Sequence, residues 1–255
     1  MKFSPSIEML FNGTGLSLPE QLEAVKRAGY DAYEFWGWES KDLDELAALQ
    51  RRLGLALSAF CTTGVPLVDP RRREEMLDGL AASIGAAQKL GCRTLIGLAG
   101  QTLPDLDRAT QLESVVDGLK AAAPLLEKAG VTLVLEPLNT LVNHKGHFLS
   151  RSDEAFAIVR EVASTHVKVL FDLYHQQVTE GNLILNATNA LEWVGHFHLA
   201  DHPGRHEPGT GEIHYGNVLA AIREKGYNGY CGLEYAPTGG AEDSLRQFLA
   251  QYNTP

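Results

Sequence analysis

The feature that most constrains the fold is a unit that recurs along the chain: an amphipathic helix, a glycine, a short apolar strand and a polar loop. Residues 107–136 contain one copy, with a helical pattern over 107–129, Gly130 as the stop and the apolar run VTLVLE. An unbroken apolar run of this length is typical of a strand buried on both faces of a parallel sheet. Eight such strands alternate with about eight helices. The repetition predicts a (β/α)8 TIM barrel, formed by residues 1–255 as a single domain.

The main alternative for alternating strands and helices is an open doubly wound sheet. Such sheets usually carry a G-x-G-x-x-G motif after the first strand, or a G-x-x-x-x-G-K-[ST] loop, and the sequence has neither. The GTGE stretch at 209–212 is glycine-rich but lacks the rest of a phosphate-binding motif. The barrel is therefore favoured.

The predicted elements have recognisable boundaries. Helices stop at glycines, as at Gly54 and Gly91, and Ser152 is predicted to cap the helix before the sixth strand. The eight strands are predicted over residues 3–9, 30–36, 56–61, 93–98, 131–136, 167–172, 194–201 and 229–235.

Composition narrows the function. A formal net charge of −10 weighs against a nucleic-acid partner, because phosphate backbones are bound mainly by Lys and Arg. No apolar run approaches a membrane span, and no hydrophobic leader precedes a cleavage site, so no membrane partner is expected. The three cysteines are scattered, without C-x-x-C spacing, which predicts free thiols in a reducing compartment. We therefore expect a cytoplasmic protein that acts on a small molecule.

Ionisable side chains end four successive strands: Glu136, Asp172, His198 and Glu234. A carboxylate at the end of a buried strand costs several kcal/mol unless something compensates its charge. In a barrel, the carboxyl ends of all strands lie on one face, and neighbouring strands are about 4.8 Å apart. We therefore expect these four side chains to reach a common point.

Three carboxylates and one imidazole would form a site rich in hard ligands. Such a set predicts one divalent metal ion, Mn²⁺ or Mg²⁺ by preference, with Co²⁺ or Zn²⁺ as less favoured alternatives. In the strand HFH, His196 and His198 point to the same face. His198 lies nearer the rim and is the predicted ligand, so His196 is expected to pack beneath it.

Spaced motifs carry a family resemblance: LEPLN at 135–139, FDLYH at 171–175, HFHLAD at 196–201 followed by PGRHEPGTGEI, and LEY at 233–235. They resemble the xylose-isomerase-like sugar isomerases and epimerases and, among these, the hydroxypyruvate isomerase family. The resemblance implies that Glu136 and Glu234 bind the metal and act as the catalytic acid and base, with Asp172 and His198 completing the metal site. The implied reaction interconverts hydroxypyruvate and tartronate semialdehyde through a cis-enediolate.

The resemblance also implies roles for two further residues and an assembly. His175 would hydrogen-bond a substrate oxygen, and Arg205 would bind a substrate carboxylate through paired hydrogen bonds. In the family the barrel rim is often covered by a neighbouring subunit, which is compatible with a homo-oligomer. The aromatic residues Trp36, Trp38 and Phe60 are candidates for the walls of the pocket.

Two positions keep a second activity open. Hydroxypyruvate isomerases usually carry glutamine where this chain has His198, and ketose 3-epimerases carry histidine there. Conversely, the epimerases usually have a glutamate where this chain has Val142.

An apurinic endonuclease would share the barrel but needs more histidines and a basic groove. A non-catalytic sugar-binding protein is disfavoured because binding alone does not require two opposed carboxylates.

Overall fold

The structure is a computed structural model that describes residues 1–253. Eight parallel strands form one sheet in the order β1-β8-β7-β6-β5-β4-β3-β2. The strands are β1 (Lys2–Pro5), β2 (Ala32–Phe35), β3 (Ala56–Cys61), β4 (Thr94–Leu98), β5 (Thr132–Glu136), β6 (Val167–Asp172), β7 (Val194–Leu199) and β8 (Tyr230–Leu233). Between β1 and β2, a bridge between Ser6 and Glu34 brings the sheet close to full closure. The predicted TIM barrel is confirmed.

Ten α-helices accompany the strands in the described part of the chain. They are α1 (Ile7–Leu10), α2 (Leu18–Arg27), α3 (Leu43–Leu53), α4 (Arg73–Leu90), α5 (Arg108–Ala129), α6 (Ser152–Val162), α7 (Leu173–Thr179), α8 (Leu183–Thr188), α9 (Tyr215–Glu224) and α10 (Ala241–Tyr252). None of these helices is both long and apolar enough to cross a membrane. The last two residues, 254–255, lie outside the described part, so the predicted single domain over 1–255 stays a prediction.

Glycine stops define several helix ends, as the sequence predicts. Gly54, Gly91 and Gly130 follow α3, α4 and α5 in the left-handed conformation, with φ of 64°, 67° and 66°. Only glycine adopts this conformation without steric cost, so each position ends its helix and starts the turn into the next strand.

Two local predictions are wrong. The first strand ends at Pro5 and not at residue 9, because the chain turns into α1 after the Ser6 amide bonds the Leu233 carbonyl at 3.0 Å. Ser152 does not cap α6, since Arg151 occupies the N-cap position. The Ser152 hydroxyl instead donates to Glu180, which lies just beyond α7, and this contact ties the two helices together.

The barrel interior is divided between apolar and polar side chains. Ala59, Ile96, Val134 and Leu170 form a small buried apolar cluster of their own, separate from the main core. On the side of β1, β2, β3 and β7, buried polar residues occupy the interior: Ser4, Glu34, Ser58 and His196. The main core includes side chains from both the strands and the surrounding helices. The polar side of the barrel interior lies next to the candidate site described below.

Candidate active site

The four strand-end residues meet at the carboxyl rim of the barrel. Glu136 and Asp172 are the last residues of β5 and β6, His198 lies in β7, and Glu234 directly follows β8. Each offers one ligand atom, and these atoms all lie within 4.8 Å of one another. All four side chains are buried. This four-residue cluster brings together every residue that the sequence predicts as a metal ligand.

His198 stands in the middle of the cluster. Its Nδ1 lies 3.6 Å from Glu136 Oε1 and 3.4 Å from Glu234 Oε2, and its Nε2 lies 3.1 Å from Glu34 Oε1. None of these contacts is aligned as a hydrogen bond, so neither ring nitrogen has such a partner among residues 1–253. Burial opposes a charge on this ring, but the Glu234 and Glu34 carboxylates outweigh it and hold the pKa of His198 well above its usual value.

The two glutamates of the cluster titrate in opposite directions. Burial raises the pKa of Glu136 to about 7, and the nearby Glu234 and Asp172 add to this although His198 opposes it. Burial also acts against the charge of Glu234, but Arg205 and His198 hold the pKa of that carboxyl well below its usual range. The Glu136 carboxylate thus lacks full compensation from the protein alone. Together with an imidazole nitrogen free of hydrogen bonds, this donor set fits a divalent cation.

Arg205 closes one side of the cluster. Its guanidinium forms an ion pair with Glu234, lies 3.7 Å from Asp172 Oδ2 and stands 5.2 Å from the centre of the Tyr174 ring. The backbone of Arg205 has φ of 57°, and its carbonyl accepts a hydrogen bond from the Ala236 amide at 2.9 Å. The predicted substrate-binding arginine therefore reaches the site, where it pairs with a predicted metal ligand.

Asp201 holds the loop that carries Arg205. Its buried carboxylate accepts hydrogen bonds from the backbone amides of His202 at 2.9 Å, Gly209 at 2.8 Å and Ile213 at 3.1 Å. At Gly211 a Cβ atom would lie 2.2 Å from the His202 carbonyl oxygen, so only glycine fits. The glycines of the GTGE stretch therefore shape this loop. From the sequence, Asp201 is predicted only as the end of a strand.

His175 is fully buried beside the cluster. Its Nδ1 accepts a hydrogen bond from Asn139 Nδ2 at 2.6 Å, and its Nε2 lies 3.6 Å from Asp172 Oδ2 without a hydrogen-bond partner in the described chain. Burial lowers the pKa of His175 to about 4, so the ring is neutral at pH 7. With Nδ1 as acceptor, Nε2 carries the proton and can donate toward the cluster.

Glu34 lies directly below the cluster and is not among the site residues that the sequence predicts. Its Oε2 accepts hydrogen bonds from Ser4 at 3.2 Å and Ser58 at 3.1 Å, and it lies 3.0 Å from His196 Nε2. Burial opposes ionisation, but His198 and His196 lower the pKa of Glu34 to about 2. The available signal was a glutamate inside an apolar strand, AYEF. His196 lies beneath the rim, as the strand alternation predicts.

Only one of the three candidate wall aromatics touches the cluster. Trp36 is 40% exposed, and its indole N–H donates to Glu234 Oε1 at 2.5 Å. Trp38 instead donates to Ser83 at 3.3 Å, and Phe60 stacks on Phe35 with ring centres 5.3 Å apart. Trp36 is therefore a wall of the site, whereas the other two aromatics pack elsewhere.

A cavity of about 500 Å³ lies beside the cluster, at the carboxyl ends of β3, β4 and β5. It adjoins the metal-ligand candidates because Leu138, which follows Glu136 by two residues, forms part of its wall. Its lining includes Cys61, Pro66, Leu98, Leu138, His144 and His147. The site thus offers a charged centre and an adjoining space for a small molecule.

Residues 22–252 of the chain match the family described as xylose isomerase-like TIM barrel. Hydroxypyruvate isomerase from Escherichia coli is 31% identical over an alignment of 255 positions, which covers 96% of this chain and 97% of that protein. A 2-oxo-tetronate isomerase from Cupriavidus necator is 29% identical, with 96% of each chain covered. A crystal structure from Brucella melitensis, described as AP endonuclease, family 2, aligns with a TM-score of 0.92 at 30% identity over 98% of each chain.

Proposed function

This chain belongs to the xylose isomerase-like TIM barrel family, and from that membership we propose that it is a metal-dependent isomerase of small hydroxy-oxo acids. Its relatives include isomerases of hydroxypyruvate and of 2-oxo-tetronate, and the chain is an isomerase of the aldose–ketose type. The proposed reaction interconverts hydroxypyruvate and tartronate semialdehyde, or closely related acids. The observation that carries the proposal is the convergence of Glu136, Asp172, His198 and Glu234 beside Arg205.

The proposed reaction moves one carbon-bound proton between adjacent carbons. In hydroxypyruvate a C3–H bond breaks, the hydroxyl oxygen on C3 becomes a carbonyl, and C2 gains a hydrogen while its carbonyl becomes a hydroxyl. A cis-enediolate lies between the two acids. We assign proton removal and return to Glu136 and Glu234, which approach the same point from β5 and β8. A divalent cation held by the cluster, Mn²⁺ or Mg²⁺ by preference, would stabilise the negative charge that develops on the two substrate oxygens.

Arg205 and His175 would orient the substrate. The Arg205 side chain is only 15% exposed, and its guanidinium offers parallel N–H donors, which suit the carboxylate of a hydroxy-oxo acid. When a substrate carboxylate takes this position, Glu234 loses its cationic partner and becomes a stronger base. His175 Nε2–H would donate to a substrate oxygen, while Asn139 fixes the orientation of the ring. Trp36 limits the access of water from its side of the site.

Two other activities share this fold. A ketose 3-epimerase could use the same four ligands, and His198 agrees with that activity. However, the position where the epimerases usually carry glutamate is Val142, which is 58% exposed. An endonuclease activity is disfavoured because the four-residue cluster contains a single imidazole and the chain has a net charge of −10. We therefore favour the hydroxy-oxo acid.

The test is proton NMR in D₂O with Mg²⁺-loaded protein and, in separate samples, hydroxypyruvate, fructose and tagatose. We expect deuterium to enter the hydroxy-oxo acid and tartronate semialdehyde to appear. Glu136→Gln and Glu234→Gln should abolish exchange, whereas Glu113→Gln, an exposed change on α5, serves as the matched control. Exchange with the ketoses alone would indicate a ketose 3-epimerase. Full activity in either site variant would show that the substituted glutamate is not required for proton transfer.

A further inference from the structure

The cavity beside the cluster is larger than a three-carbon substrate requires. Hydroxypyruvate has seven non-hydrogen atoms. If each atom takes up no more than the ~30 Å³ that a water molecule occupies, the whole molecule fills at most ~210 Å³. The cavity measures about 500 Å³, and it adjoins the cluster without including the four ligand candidates. The cavity therefore has room for several more carbon and oxygen atoms next to the point where the reaction is proposed to occur.

A row of imidazoles leads from the cluster into this cavity. The ring of His175 lies 5.2 Å from the ring of His144, which in turn lies 6.4 Å from the ring of His147. His144 and His147 both line the cavity. His147 is only 7% exposed, and its Nε2 has no hydrogen-bond partner within residues 1–253. A buried donor or acceptor without a partner is costly, which indicates that a ligand group or water satisfies it.

Backbone hydrogen bonds hold the loop that carries the two histidines. The Thr102 amide bonds the Gly146 carbonyl at 2.9 Å, and the Phe148 amide bonds the Gly100 carbonyl at 2.9 Å. At the start of the loop, Asn139 Oδ1 accepts the amides of the residues at 142 and 143, at 3.0 and 3.1 Å. The imidazoles are thus placed before a ligand arrives, which lowers the entropic cost of binding.

The chemistry of the cavity suits hydroxyl groups. Burial, with a smaller contribution from His144, lowers the pKa of His147 to about 4, and burial and Arg205 lower the pKa of His144. Neutral imidazoles can both donate and accept hydrogen bonds, as a hydroxyl requires, but they offer no charge to a second carboxylate or a phosphate. The cavity lining also includes Arg72, whose guanidinium is already paired with both oxygens of the Glu75 carboxylate. Part of the remaining wall is apolar, formed by Pro66, Leu98 and Leu138.

We propose that this cavity is a distal subsite for the hydroxylated tail of a substrate, and that the preferred substrates are hydroxy-oxo acids of four to six carbons. His144 and His147 bind hydroxyls of the carbons beyond C3. This assignment rests on the proposed isomerase function and extends it by defining the length and the chemistry of the substrate. In this arrangement Arg205 holds the carboxylate end, and the two histidines hold the opposite end.

The first test uses the wild-type protein with Mg²⁺ and a series of hydroxy-oxo acids of three, four, five and six carbons. Every carbon beyond C2 carries a hydroxyl. We expect kcat/KM to rise by at least about tenfold between the three-carbon and five-carbon acids, as hydrogen-bonded substrate groups do in other enzymes. A flat or falling profile, with activity on the three-carbon acid, overturns the subsite alone. Absence of exchange with every acid in the series overturns the proposed function and the subsite together.

The second test asks whether the histidines cause the preference. His147→Leu and His144→Leu should each lower the ratio of kcat/KM for the five-carbon acid over the three-carbon acid by roughly tenfold. His147→Asn, which retains a polar group, should restore part of the ratio. The matched control is His166→Leu, because His166 precedes β6 at the opposite end of the barrel. Folded variants that keep the wild-type ratio would show that the cavity does not bind the tail.

Discussion

Glu136→Gln should stabilise the metal-free protein at neutral and alkaline pH, although we expect the same change to abolish activity. Burial raises the pKa of the Glu136 carboxyl from 4.5 to about 7, with further repulsion from Glu234 and Asp172. The ionised form is therefore disfavoured in the folded protein relative to the unfolded chain. Glutamine has nearly the same shape and carries no charge, so it removes this penalty.

The size and sign of the effect follow from linkage. Because the folded-state pKa is the higher one, the wild-type carboxyl costs no stability below pH 4.5, and the cost grows until the pH passes 7. Raising the carboxyl pKa from 4.5 to about 7 lowers the free energy of unfolding of the wild type by roughly 1 kcal/mol at pH 5 and by roughly 3 kcal/mol at pH 8. The stability advantage of Glu136→Gln should therefore increase from pH 5 to pH 8.

The measurement is urea unfolding of both proteins in EDTA at pH 5 and pH 8, with Glu113→Gln as the surface control. Adding Mg²⁺ or Mn²⁺ at 1,000 times its Kd should reverse the order, because an ion that binds only the folded wild type then adds about 4.1 kcal/mol. Equal stabilities of wild type and Glu136→Gln at pH 8, or a variant that is less stable there, would refute the electrostatic account of the cluster.

Three further changes test other parts of the site. Asp172→Asn and Asp172→Ala should both weaken metal binding in equilibrium dialysis. Only the alanine variant should also lose about 1 kcal/mol of stability, because Asp172 Oδ1 accepts hydrogen bonds from the two backbone amides at the start of α7. Gly232→Ala should destabilise the fold by about 1–3 kcal/mol in urea unfolding, since its Cβ would lie 1.9 Å from Glu34 Oε1. The control Gly85→Ala, which meets no atom within 4 Å on α4, should be neutral or stabilising, and equal losses would contradict the packing argument. Arg205→Lys should raise KM for hydroxy-oxo acids roughly tenfold, because lysine cannot form the paired contact; an unchanged KM would exclude carboxylate binding there.

The sequence alone determined the fold class and the positions of the four cluster residues. Both follow from local periodicity. Helices stop at glycines, Glu136 and Asp172 end the apolar strands β5 and β6, and His198 and Glu234 lie at or just beyond the ends of β7 and β8. Once a barrel is inferred, the carboxyl ends of its strands must share one face. The same reasoning failed at Ser152, because a hydroxyl at a helix start can bond a distant side chain as readily as its own helix.

Only the tertiary structure decided which partners surround the cluster. Glu34 and His196 are 162 positions apart in the chain, and no local pattern relates them until the barrel brings β2 and β7 together around its interior. The same holds for the Arg205–Glu234 ion pair and for the cavity that His144 and His147 line. Local sequence encodes backbone conformation and burial, whereas the pairing of charges and the shape of a cavity depend on side chains from distant segments, which meet only when the sheet closes.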